Sequence, residues 1–163
     1  MSEPNRLSLR GVPGVRLAEG IADVFLVDED QQRWPLATVT GPMDLVGPAS
    51  GDVDVLVVTR IDGILQPLDA APSDVSPWAA VVAQELASPD LASMDATALT
   101  SAMVDACAAG LTSRMAQRRA VDAEAQASEQ RLIELTHEQL VEGIKRAGYS
   151  DERQGHMCEP ALV

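Results

Sequence analysis

The chain has 163 residues and a formal net charge of −13, so it lacks the excess of Lys and Arg from which nucleic-acid binding draws its affinity. Aromatic residues are only 2 % of it, which excludes a stacking platform for single strands and leaves a core to be built from Val, Leu, Ile, Ala and Met. Apolar residues make up 46 %, enough for one folded domain, or one domain with an extension.

The acidic residues are spread along both halves of the chain, the pattern of a solvated, soluble surface. The two cysteines, Cys107 and Cys158, lie far apart and imply no disulfide framework. A reducing cytoplasm fits that usage. Residues 1–14 contain no apolar run of the kind a secretion signal carries. No apolar run reaches the length a membrane helix needs, so no direct membrane insertion is expected.

Residues 1–14 are polar and punctuated by Pro4, Gly11, Pro13 and Gly14. They read as a flexible lead-in with one short paired segment around Leu7–Leu9. From residue 15 to residue 75, short apolar runs alternate with turn signals roughly every ten residues, which predicts a small antiparallel β-roll. Strands are expected at 15–19, 22–28, 33–40, within 42–48, at 53–60 and at 64–68. Asp28-Glu29-Asp30-Gln31-Gln32 is a polar hairpin tip, and Asp62-Gly63 is a second turn. Pro35 lacks a ladder donor, so its strand belongs at an edge or carries a bulge. A β-region this small needs a cover.

Residues 76–148 read as that cover and a linker. Ser76-Pro77 predicts a helix start with Ser76 as the N-cap. Trp78, Val81, Val82 and Leu86 share one face. Ser88-Pro89 interrupts, and Ser93 or Asp95 caps a second helix with apolar positions at Leu99, Met103, Val104 and Cys107. An end near Ala108-Ala109-Gly110 is expected. Helical propensity resumes from 111 to 147 with a thin apolar stripe that thickens through Leu132, Leu135, Leu140, Val141 and Ile144. Thr136 with Gln139 can form a capping box, which predicts a break near Leu135. Gly148 follows Lys145-Arg146 as a stop signal. Residues 149–163 read as a flexible tail, and the closing Ala161-Leu162-Val163 as the first residues of a following region, so that the chain reads as a fragment of a longer protein.

The residues form no recognisable catalytic constellation, and the chain is not expected to be an enzyme. No catalytic, cofactor-binding or metal-binding residues are assigned. The β-region contains neither His nor Cys, which excludes a histidine-based metal enzyme in that barrel. Cys107 sits among Met103 and Val104 and reads as a small buried apolar residue. His137 reads as exposed, and His156-Met157-Cys158 as part of a polar tail. Asp28-Glu29-Asp30 lacks the spacing of a calcium loop. Asp52 and Asp54 flank Val53 and are expected to share one face at a strand start. Gly47-Pro48-Ala49-Ser50-Gly51 is the one candidate phosphate loop, but no helix follows it, and the next arginine, Arg60, closes a strand.

Gly20, Asp23–Val27, Leu36, Val39, Leu45–Gly47, Val53–Val58 and Ile64–Asp69 together resemble a cyclic-nucleotide-binding-like β-roll. In that superfamily a helical cassette after the position of Gly47 carries a Glu for the ribose and an Arg for the phosphate. Here Pro48-Ala49-Ser50-Gly51-Asp52 carries neither. The chain resembles more closely the N-terminal cytoplasmic region of the NHLM-type bacteriocin export ABC transporters. The residues concerned are Ala18–Val27, Arg33-Trp34-Pro35-Leu36, Ile64–Asp69 and the Arg/Ala/Glu-rich stretch 114–134. That resemblance implies a degenerate, jelly-roll-like domain without cofactor. It also implies a location in the cytoplasm, at the inner face of the plasma membrane as part of a larger transporter.

The function expected from it is a non-catalytic accessory, regulatory or docking domain of a peptide exporter. Its partners would be the transporter's membrane or ATPase domains, or a precursor peptide, and not nucleic acid. Two alternatives stand beside it. One is a small-molecule-sensing β-roll that moves its C-terminal helices. The other is a structural oligomerisation or adaptor protein, with a homodimer through the C-terminal helix.

Overall fold

A computed structural model describes residues 5–60 and 62–148. The fold is α+β, with two antiparallel sheets followed by helices, as the turn spacing predicts. The strands are β1 (Arg6–Ser8), β2 (Val15–Glu19), β3 (Ile21–Val27), β4 (Arg33–Thr40), β5 (Met43–Leu45), β6 (Asp54–Thr59) and β7 (Ile64–Pro67). Their order is β1-β6-β3-β4 in a four-stranded sheet and β5-β2-β7 in a three-stranded one. Two helices follow, α1 (Ser76–Glu85) and α2 (Ala96–Arg146), with a 3₁₀ turn at Pro89–Ser93 between them. The chain divides into two compact units, Met1–Ala116 and Gln117–Val163.

In the first unit, period-2 alternation sets the core. Along β3, Ala22, Val24 and Leu26 are buried while Asp23 and Phe25 are half-buried on the other face. On β6, Val55, Val57 and Thr59 point inward. Pro35 fits its strand in both ways expected. β4 is an edge strand, and its pairing with β3 shifts register so that Val24 faces Ala37 while Phe25 faces Pro35. The bulge absorbs the missing donor. The polypeptide passes from one sheet to the other at Gly20, whose φ of +84° places it in the region that favours glycine, against the backbone of Asp62.

The segment expected to pair around Leu7–Leu9 does so, with Arg6–Ser8 lying beside Leu56–Val58. The Leu9 N–H donates to the Val55 carbonyl at 2.8 Å, and Leu9 is only 1 % exposed. That part of the lead-in is structural.

α1 covers the sheets through buried Trp78, Ala79, Val82 and Ala83. Its start differs from the expectation: Ser76 is the first helical residue, and the N-cap position is Val75, without a side-chain cap. The Asp74 carboxylate accepts from the Ser76 N–H at 2.9 Å instead. The helix ends in a left-handed cap at Ala87, φ +51°, with Ser88 N–H donating to Ala83 O at 2.9 Å and Ala87 N–H to Gln84 O at 3.3 Å. That is the paired bonding of a Schellman end.

α2 opens on Asp95, whose Oδ1 accepts from the Ala98 N–H at 2.8 Å, the N3 bond of an N-cap. Leu99, Met103, Cys107 and Leu111 recur at intervals of four and are buried. The end expected near Ala108-Ala109-Gly110 does not occur, because α2 runs unbroken to Arg146. Gly110 serves packing: a β-carbon there would sit 2.5 Å from Leu86 Cδ2. The break expected near Leu135 is absent too. Thr136 Oγ1 donates to Leu132 O at 2.8 Å, the back-bond of a helix-interior threonine and not a cap. The stop at Gly148 is present, with φ +78° and its N–H donating to Lys145 O at 3.1 Å.

Candidate functional site

In a ligand-binding β-roll of the type resembled, the segment after Gly47 would hold the ligand. Here residues 46–53 contain no helix or strand. Neighbouring elements use this loop structurally. The Val46 carbonyl accepts from Trp78 Nε1 at 2.7 Å in a buried contact, and the Gly51 carbonyl accepts from the Arg10 guanidinium. Gly47 and Pro48 are buried.

The ion pairs Arg60–Asp23 and Arg16–Asp44 join charged side chains of the first unit. Asp23 on β3 accepts from Arg60 Nη2 at 2.9 Å, from Arg60 Nε at 3.0 Å and from Thr38 Oγ1 at 2.8 Å. The Arg60 hydrogen bond, with Thr38 second, holds the Asp23 carboxyl below its ordinary range. Arg16 grips Asp44 with two bonds of 2.6 and 2.8 Å, which raises the guanidinium pKa. Asp28 accepts from Trp34 Nε1 at 3.0 Å and from the Gln32 N–H at 2.8 Å; these bonds, Trp34's above all, lower its pKa. Asp52 and Asp54 do not share a strand face. β6 begins at Asp54, which accepts from Ser8 Oγ at 2.8 and 2.9 Å. Asp52 stays exposed in the loop.

Cys107 is a free, buried thiol. Burial pushes its pKa up to about 12, so it is a protonated core residue and not a nucleophile. His137 is exposed on α2. The cluster His156-Met157-Cys158 lies outside the described residues. Among the described residues no group of three or more His, Cys, Asp or Glu side chains converges on a metal position.

Among the described residues, grooves of about 440, 400 and 270 Å³ open onto solvent. The largest holds Arg16 and Asp44, already paired with each other. The second runs between Val12, Ala49, Ala71 and the first turns of α2, at Thr97, Thr100 and Val104. The third sets Asp28, Glu29, Asp30 and Asp52 around a floor that includes Leu111 and Met115.

The second unit has a different surface. Val121, Leu132, Ile133, Leu135, Leu140 and Ile144 are 43–65 % exposed, a density of bare large apolar side chains that the first unit does not match. Of the stripe expected through Leu132, Leu135, Leu140, Val141 and Ile144, all are exposed except Val141, which is half-buried, and Leu135 falls on the opposite side of the helix from Leu140. No helix among the described residues is long and apolar enough to cross a membrane. No family model, curated protein or solved structure matches the chain.

Proposed function

We propose that the chain is a non-catalytic docking module. The β-roll and α1 form a folded head, and the outer part of α2 is the surface that engages a protein partner. One observation carries this reading: large apolar side chains on residues 121–144 stand exposed on a helix, where water contact costs free energy that a partner would recover. The core chemistry points the same way. The segment 46–53 is tied to Trp78 through the Val46 carbonyl and to Arg10 through the Gly51 carbonyl, and the arginines of the first unit for which partners are described are taken up by Asp23, Asp44 and backbone carbonyls.

The setting proposed is the cytoplasmic side of a peptide exporter, as an accessory region beside the transporter's own domains. Its support is the residue pattern at Ala18–Val27, Arg33–Leu36 and Ile64–Asp69, together with the Arg/Ala/Glu-rich helix.

Photo-cross-linking tests it. A photoreactive residue is placed at Leu132, Leu140 or Ile144 in the full-length protein in its own cells, with Glu29 as the control position. Discrete adducts from the helix positions and none from Glu29 are expected. Mass spectrometry then identifies each adduct as transporter, precursor peptide or the same chain. No adduct from any of the three helix positions would sink the docking reading.

A further inference from the structure

We draw no further inference here: the strongest candidate, the groove of about 270 Å³ in which Asp28, Glu29, Asp30 and Asp52 surround Leu111 and Met115, is a cluster of acidic residues over an apolar floor, and nothing in the structure shows what would fill it.

Discussion

Leu9 lies so close over Gly47 that a β-carbon at Gly47 would overlap the Leu9 Cβ and come within 3.3 Å of Leu9 Cδ1. This contact ties the residue after the first strand to the start of the loop between β5 and β6. Gly47→Ala should lower stability by about 1–3 kcal/mol, because the obstruction is a β-carbon and not a flexible tip. Leu9→Ala should cost about 2–5 kcal/mol by leaving a cavity. Urea unfolding followed by the fluorescence of Trp34 and Trp78 measures both. Stabilities within about 0.5 kcal/mol of the parent would contradict the close approach.

Arg114 donates to Pro35 O at 3.0 Å, to Glu85 O at 3.3 Å and to Gly110 O at 3.4 Å. One guanidinium thereby joins β4, the last turn of α1 and α2, and places positive charge where the α1 carbonyls lack partners. Arg114→Lys should lose most of the effect, since an ammonium cannot reproduce the fork. The expected loss is about 1–3 kcal/mol. Chemical denaturation of the two chains side by side reads it.

Ala87 holds a left-handed conformation with φ +51° at the end of α1 and is exposed. A β-carbon is disfavoured there, and glycine is the usual residue at this position of a Schellman end. Ala87→Gly should raise stability by about 0.5–1 kcal/mol, the relief being partly offset by the greater entropy of the unfolded chain. A thermal melting midpoint no higher than the parent's would refute this.

Asp23 has a lowered pKa in the fold, chiefly through Arg60 and then Thr38. A carboxylate lowered by folding contributes stability above its unfolded pKa, near 4, and loses that contribution as pH falls through the folded value. The Asp23→Asn variant should therefore lose less stability than the parent between about pH 4 and pH 2, while being the less stable of the two at pH 7. The pair is surface-exposed, so the difference should be modest. Denaturant midpoints across that range test it.

Cys107 combines full burial with a pKa near 12. In a Cys158→Ser background the native protein should resist alkylation at pH 8 and react at once in denaturant. Rapid labelling of the native state would mean that the α2 interface opens far more readily than its packing implies.

The sequence by itself determined most of the sheet elements and the inward-facing residues of the longer strands. Alternating Val and Leu at 22–27 and 54–59 can bury only one face as strands, and the Gly and Asp clusters between runs fix where the chain turns. It also placed an apolar-rich helical stretch at 132–144, because that composition is visible without knowing what lies opposite. Only the tertiary structure decided which local signals to obey. Gly110 carries the signature of a helix stop, yet the helix passes through it because Leu86 needs the space. Thr136 and Gln139 spell a capping box, but with the helix already formed the threonine hydroxyl back-bonds to Leu132. Leu9 sits in a polar, glycine- and proline-marked segment, and it is core only because β1 pairs with β6, some fifty residues away in the chain. Short-range patterns report what each segment can do alone. The choice among those possibilities belongs to contacts between residues distant in sequence, whose energies no local pattern contains.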